Sequence, residues 1–308
     1  MADARALILH HYDTSPFSEK VRKVLAHKQL AWHAVEQPTI MPKPQLLPLT
    51  GGYRRIPVLQ IGADVYCDTQ LIVRVLERRA PSPTLYPGGS EGTCEAWQLW
   101  ADKLVFSAAV SVIFGEIGQF VPKEFMDDRT KMMPGRDFNE IPKLAPHARE
   151  QLRAYIATMD AQLADRRPHL LGNDFSLADA ACFHSMWFLR VAPQAKSMIA
   201  DAPHVAAWVE RIDAMGHGAR TAMAPGDALE IARQATPAAA AGVDPHEPNA
   251  LAAGMRVTVT PDDYGFDPVA GELVGSSVHE VAVRRRDADL GELVVHFPRI
   301  GFRVARAD

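Results

Sequence analysis

The first eighty residues alternate between segments typical of strands and segments typical of helices, and this alternation most constrains the fold. Residues 6–10 form an apolar run of strand length. Ser15 and Pro16 then make a preferred helix start, with Ser as the N-cap and Pro at the first helical position. Apolar side chains recur on one face of this helix up to about Gln29. Such alternation predicts βαβ units with parallel strands.

The same reasoning extends to the next segments. Residues 32–36 alternate as a second strand, and a proline-rich loop follows. Residues 56–61 and 63–67 are two apolar runs separated by Gly62, which predicts an antiparallel hairpin. Asp68 is then placed to cap a final helix. The order β-α-β-loop-β-β-α predicts an α/β thioredoxin-like domain.

The rest of the chain divides into a helical part and a β-rich part. Helical periodicity dominates residues 91–234, where strand signals fade, and segment 122–146 within it is expected to be poorly regular and near an inter-domain cleft. The Ala- and Pro-rich segment 235–250 predicts a linker. Alternating β-branched segments after it predict a small β-barrel or β-sheet. The predicted domains are 1–85, thioredoxin-like, 91–234, all-helical, and 251–308, the β-module.

Composition narrows the classes of partner. The net charge of −4 and pI near 6.3 give no electrostatic reason to expect nucleic acid or an anionic membrane as a partner. No stretch approaches the ~18 uninterrupted apolar residues of a membrane helix. Cys67, Cys94 and Cys182 lie far apart, without the Cys-x-x-Cys spacing of a metal or redox site. A cytoplasmic protein without disulfides or a metal site is expected.

The start of the first helix is the strongest candidate for a site. Thioredoxin-like proteins place Cys-x-x-Cys there, whereas this chain has the hydroxyls of Ser15 and Ser18, so dithiol redox chemistry is not expected. The free N–H groups and positive dipole end of the helix favour an anionic sulfur brought by a ligand. Ser15 would donate a hydrogen bond to that thiolate and lower its pKa. The structural alternative makes Ser15 a simple N-cap.

Two further elements support a ligand site. Pro57 lacks a donor, so it belongs at a strand start or in a special turn, and a cis bond before it would expose the backbone of Ile56 to a peptide-like ligand. Asp68 and Thr69 can bind an amine or carboxylate while they cap a helix. Each element alone has a structural alternative, but together with Ser15 they are more specific.

These elements resemble the glutathione transferase superfamily. The resemblance rests on Ser-Pro-Phe-Ser-Glu-Lys-Val-Arg at 15–22, on Ile56-Pro57 and on Asp68-Thr69, and it covers roughly residues 6–230. It implies a thioredoxin-like domain followed by an all-helical domain, glutathione as co-substrate, a small electrophile as second substrate, and a homodimer. It also implies that Ser15 activates the glutathione sulfur. The residues it assigns to glutathione binding are Phe17, Ile56, Pro57, Asp68 and Thr69. Many members carry Ser at the position of Thr69, a mild departure.

Other side chains have two interpretations. Lys20 and Arg22, in the first helix, are expected to be exposed, with pairing to a ligand carboxylate as the alternative. Several apolar side chains could line a site for the electrophile or could simply pack between helices. These are Phe106, Phe114, Met126, Met132 and Met133.

Two rival functions stay open. The first is a non-catalytic interaction or scaffold protein that reuses the fold and binds a partner through its C-terminal β-module, because fold alone does not fix function. The second is a glutathione-dependent reductase or dehalogenase. Ser15 counts against reductase chemistry, since such proteins usually resemble family members with Cys at that position.

Overall fold

The N-terminal part of the protein has a thioredoxin-like fold, as predicted. The structure is a computed structural model that describes residues 5–135, 137–239 and 242–307. Its first elements are β1 Ile8–His11, α1 Pro16–His27, β2 Ala31–Glu36, α2 Leu47–Thr50, β3 Val58–Ile61, β4 Asp64–Cys67 and α3 Thr69–Arg79. Strand β1 pairs parallel with β2 and antiparallel with β3, and β3 pairs antiparallel with β4.

Helix α1 begins at a side-chain cap and buries several polar side chains. Ser15 caps it by accepting a hydrogen bond from the backbone N–H of Ser18 at 3.2 Å. The expectation that Lys20 and Arg22 are exposed is wrong, because α1 packs against the helical part of the chain and both side chains are fully buried. Arg22 donates to Glu19 Oε2 at 2.7 Å, so its charge is paired.

The second part of the chain is helical. A π-helical turn at Ala101–Val105 joins its first two helices into one continuous stretch. The helices are α4 Glu91–Trp100, α5 Phe106–Ile117, α6 Lys123–Lys131, α7 Ala145–Gln162, α8 Leu177–Leu189, α9 Pro193–Ala200, α10 Pro203–Asp213 and α11 Pro225–Gln234. Short 3₁₀ turns lie at Pro87–Gly89, Gly118–Phe120 and Phe138–Leu144.

Two local expectations for this part are wrong. Segment 122–146 is more regular than expected, since it contains α6 and a 3₁₀ turn. A strand, β5 Ala219–Ala222, pairs parallel with β2 inside the region expected to be helical throughout. The sequence of β5, Ala-Arg-Thr-Ala, lacks the apolar alternation by which a half-buried strand is recognised. This agrees with the structure, in which all four residues are exposed.

Within the described part of the chain, one helical stretch, Glu91–Phe120, is long and apolar enough to cross a membrane by length and composition alone. In this structure it packs within the helical part, where α4 contacts α8 and α5 contacts α7. Helix α8 is almost wholly buried and begins with a capping box, in which Asp179 Oδ2 accepts from the N–H of Ser176 at 2.9 Å.

The C-terminal strands extend the N-terminal sheet. They are β6 Gly242–Val243, β7 Arg256–Pro261, β8 Val269–Ser276, β9 Glu280–Asp287, β10 Gly291–Pro298 and β11 Phe302–Arg306. The strand order is β11-β7-β8-β9-β10-β4-β3-β1-β2-β5, with β6 beside β8. Strand β10 pairs parallel with β4, where Val295 lies opposite Val65. The division of the chain into separate domains stays a prediction, because one sheet runs through its first and last parts.

A shared core accompanies this pairing. Val65 and Cys67 of β4 belong to the same buried apolar cluster as Val283, Val295 and Phe297 of the C-terminal strands. Burial of these side chains is the main stabilisation of the junction, at about 25 cal/mol per Å² of apolar surface removed from water. The β-module is therefore held against the edge of the N-terminal sheet by backbone pairing and by a common core.

Candidate functional site

A cavity of about 350 Å³ lies between the N-terminal sheet and the helical part. It is lined by residues from all three parts of the chain. These include Ser15, Phe17, Ile56, Asp102, Phe106, Asp263 and Tyr264. A smaller space of about 70 Å³ shares several of these residues and is also lined by Pro57, Asp68 and Thr69. The residues proposed from sequence therefore lie along adjoining cavities.

Ser15 lies where the N-terminus of α1 meets the larger cavity. Its side chain is nearly buried, and Oγ accepts the N–H of Ser18. A hydroxyl that accepts one hydrogen bond still has its own proton to donate. Because the helix N-terminus also presents a partial positive charge, the environment of Ser15 favours an anionic atom in the cavity.

The Ile56-Pro57 peptide bond is cis. Both residues precede β3 and line the smaller cavity, and Ile56 and Phe17 line both cavities. Ile56 therefore borders both the cavity lined by Ser15 and the cavity lined by Asp68.

Asp68 and Thr69 form the other end of this site. Asp68 caps α3 by accepting the N–H of Gln70 at 2.9 Å. Burial raises the pKa of Asp68 against the opposing effects of that hydrogen bond and of Arg55. Thr69 Oγ1 accepts from Lys20 Nζ at 3.0 Å, so the first helix holds the start of α3 in place.

A buried charge cluster next to the site was missed by sequence reasoning. Asp102 lines both cavities and accepts from Lys20 Nζ at 2.7 Å and from His184 Nε2 at 3.0 Å. Burial raises the pKa of Asp102, but Lys20 and His184 outweigh this and hold it below its usual value. Asp102 lies in the π-helical turn, a distortion often found at functional sites. The charged pair Asp102-Lys103 in a mostly apolar helical stretch was the available signal.

Apolar side chains form a large part of the wall of the larger cavity. Of the five candidates named from sequence, Phe106, Phe114, Met132 and Met133 line it. Met126 lies instead in the main apolar core. The wall also includes Phe125, Phe138, Ile141 and Phe188. Such a surface suits an apolar or aromatic ligand.

One end of this cavity is basic. Lys43, Arg54 and Arg129 line it, and Asp128 pairs with both arginines. Burial lowers the pKa of Lys43 to about 8, and the charges of Arg129 and Arg54 act in the same direction. Sequence reasoning also missed this basic group, because its members lie far apart in the chain. Lys43 is on the proline-rich loop, Arg54 shortly before β3 and Arg129 in α6.

The β-module contributes a loop to the site. Residues 262–268 join β7 to β8, and Asp263 and Tyr264 of this loop line both cavities. Arg55 donates to Asp263 Oδ1 at 2.5 Å and to the carbonyl of Tyr264. The Tyr264 ring lies against the Arg55 guanidinium, with 3.7 Å between Cζ and the ring centroid.

Among the residues that the structure describes, one group has donor atoms close enough for a metal ion, namely His11, Asp13 and Glu36. Arg22 hydrogen-bonds His11 Nδ1 at 3.1 Å, and Arg220 pairs with Asp13 at 2.8 Å. Burial lowers the pKa of His11 to about 3, with Arg22 and Arg220 adding to the effect. Two neighbouring guanidinium groups disfavour a cation here, so this group is no candidate metal centre.

Comparison with known proteins identifies similar chains. Sequence models of the glutathione S-transferase N-terminal domain and C-terminal domain match residues 9–84 and 142–211. The crystal structure of a GST-like protein from Pseudomonas syringae is similar with a TM-score of 0.83 and 38% identity, over 97% of this chain and 100% of that chain. No curated protein matches the chain significantly.

Two further structures are similar over about two thirds of the chain. Glutathione S-transferase III in its apo form has 25% identity and a TM-score of 0.53, over 68% of this chain and 92% of that chain. A glutathione S-transferase from Methylobacterium radiotolerans JCM 2831, in complex with glutathione sulfonate, has 21% identity and a TM-score of 0.52, over 68% and 91%. The latter likeness shows the fold alone.

Proposed function

This chain belongs to the glutathione S-transferase superfamily, and we propose that it binds glutathione and activates its thiol for attack on a small electrophile. One observation carries the proposal. Ser15, at the N-terminus of α1, lines the larger cavity. Ile56 lines this cavity and also the smaller one, whose other lining residues include Pro57, Asp68 and Thr69.

Thiol activation would come from hydrogen bonding and the helix dipole. The Ser15 hydroxyl donates to the glutathione sulfur, and the α1 N-terminus adds a favourable potential. Both stabilise the thiolate, so the pKa of the glutathione thiol falls below its ordinary value of about 8.5. The thiol proton is released to water. The sulfur electron pair then forms a C–S bond with the electrophilic carbon, and the leaving group departs with the electrons of the bond that breaks. Ser15 keeps its own proton throughout.

The second substrate would bind against the apolar wall. Phe106, Phe114 and Met133 line the same cavity as Ser15, and a cavity of about 350 Å³ holds a compact apolar or aromatic electrophile. Following the family resemblance, we also propose a homodimer located in the cytoplasm. Light scattering during gel filtration tests the dimer.

The reductase alternative has little support. Cys67 is fully buried, and burial raises its pKa well above the usual value, so it is a poor source of thiolate. The scaffold alternative is favoured by the β-module loop, because Asp263 and Tyr264 already engage Arg55 inside the site. Loss of glutathione binding in the folded protein would favour the scaffold.

The test is calorimetric titration of glutathione, with thiolate ultraviolet absorbance measured in parallel. Ser15→Ala should lose most of the thiolate signal at neutral pH while it retains binding, and it should destabilise α1 by about 1 kcal/mol because the cap is lost. Thr14→Ala removes a neighbouring exposed hydroxyl and is the matched control, which should behave like wild type.

Asp68→Asn should weaken glutathione binding, because the resemblance places the γ-glutamyl end there. Absence of both heat and thiolate signal in the folded wild-type protein would refute the proposal.

A further inference from the structure

The loop at 262–268 lines both cavities, which together are called the cleft below, and it contacts residues of the helical part and of the sheet side. The N–H of Gly265 donates to the carbonyl of Met132 at 2.5 Å, on the helical side. Arg55, on the sheet side, bonds Asp263 and Tyr264. Gly265 has φ +59°, and a Cβ there would lie 3.1 Å from Met132 Cε and 3.4 Å from Arg55 Nε. At Gly265 the loop is therefore fitted closely between the two walls.

The Asp263 carboxylate pairs with one cation from each wall. Oδ1 accepts from Arg55 at 2.5 Å, and Oδ2 accepts from Lys103 of the π-helical turn. The Arg55 side chain is only 7% exposed. Burial raises the pKa of Asp263, but Arg55 and Lys103 outweigh this and hold it below its usual value, so the group is ionised at neutral pH.

This pairing determines what the nearby cations can bind. Arg55 and Lys103 line both cavities, so without Asp263 they would present two positive charges to a ligand. Asp102, which also lines both cavities, is already paired with Lys20 and His184. An anionic ligand group that approaches Arg55 and Lys103 must displace Asp263 or meet its negative charge.

We propose that Asp263 of the β-module is a specificity-determining residue of the cleft, because its carboxylate occupies the anion position on Arg55 and Lys103. At this position, the cleft thereby discriminates against second substrates that bring a carboxylate or sulfonate. The substrate class follows from the proposed function, whereas the charge selection itself depends only on the cleft.

Two fluorescent probes that share one ring system test the charge selection without glutathione. They are neutral N-phenyl-1-naphthylamine and anionic 8-anilino-1-naphthalenesulfonate, both of a size to enter the apolar cavity. The measured quantity is the ratio of their dissociation constants, anionic over neutral. In Asp263→Asn this ratio should fall by about tenfold, since charge-assisted contacts to two unpaired cations become available. In the matched control Asp262→Asn, an exposed neighbour, it should stay at the wild-type value.

A second variant separates charge from loop movement. In a Lys103→Met background, the effect of Asp263→Asn on the ratio should shrink, because one of the two cations is gone. If Asp263→Asn tightened both probes equally, the substitution would have opened the loop, and the inference would be wrong. An unchanged ratio would overturn it as well. Failure of glutathione to bind wild type would refute the proposed function and leave this ratio test standing.

Discussion

The junction between β4 and β10 should be sensitive to pH through His296. This side chain lies between two carboxylates, with Nε2 3.0 Å from Asp64 Oδ1 and Nδ1 2.7 Å from Glu280 Oε1. It also stacks on Tyr66, with 4.4 Å between ring centroids. Asp64 and Tyr66 belong to β4, whereas His296 belongs to β10. Substitution His296→Phe would keep a stacked ring and leave both carboxylates without this partner.

The expected cost follows from the contacts. The side chains of His296, Asp64 and Glu280 are 12%, 8% and 20% exposed, so the pairs are partly desolvated. Each charge-assisted hydrogen bond contributes about 1.5–3 kcal/mol. Glu280 keeps a bond to Arg78, which lessens the loss. At pH 6, His296→Phe should therefore reduce the local stability of the junction by about 3 kcal/mol.

The effect should weaken as the pH rises. Burial lowers the pKa of His296, but the bonds to Asp64 and Glu280 outweigh it and raise the pKa above its usual value. A group with a raised folded-state pKa stabilises fully below its unfolded pKa of about 6.5, and this stabilisation is lost as the pH passes through the folded value. Neutral imidazole donates to one carboxylate only, so roughly half of the effect should remain at high pH.

Hydrogen exchange of the amides in β10 measures this local stability directly. Wild type and His296→Phe would be compared at pH 6 and pH 9, after correction for intrinsic exchange rates. His279→Phe, at an exposed position nearby, is the control and should exchange like wild type. Equal protection of β10 in His296→Phe and wild type at pH 6, or a difference that grows with pH, would refute the reasoning.

Two further substitutions test other parts of the structure. Lys20→Met should destabilise the protein by about 3–5 kcal/mol, because it leaves the buried Asp102 carboxylate without its lysine. Denaturant unfolding measures this change in stability. A loss of less than about 1 kcal/mol would contradict the expectation. Gly265→Ala should increase hydrogen exchange in the loop at 262–268, because its φ of +59° and the nearby Met132 oppose a Cβ. The control Gly92→Ala, in α4 and with open space around it, should stabilise by about 1 kcal/mol, and the same response at both glycines would exclude the steric explanation.

The local parts of the fold could be predicted because their signals are local. The cap of α1 at Ser15 and Pro16, and that of α3 at Asp68, each depend on residues within one helical turn. The thioredoxin-like order of elements followed from short apolar runs of the lengths that strands have. Strand β5 gave no such signal, because all its side chains are exposed.

The charged parts of the site could not be predicted in the same way. Lys20 and Asp102 are 82 residues apart, and Arg55 and Asp263 are 208 apart. An isolated Lys on a helix is usually exposed, and only the packing of α1 against the helical part makes its burial necessary. Likewise, alternation predicted the C-terminal strands, but nothing in their sequence specified β4 as their neighbour.

The pairing of β10 with β4 also has a consequence for synthesis of the chain on the ribosome. Val65 leaves the ribosome long before its partner Val295, and at about 5–20 residues per second the interval is on the order of ten seconds or more. During that time β4 is an unpaired strand edge, open to pairing with other nascent chains. Chaperone demand should therefore be greatest while the helical part is being made, and it should fall once β10 has emerged and covered that edge.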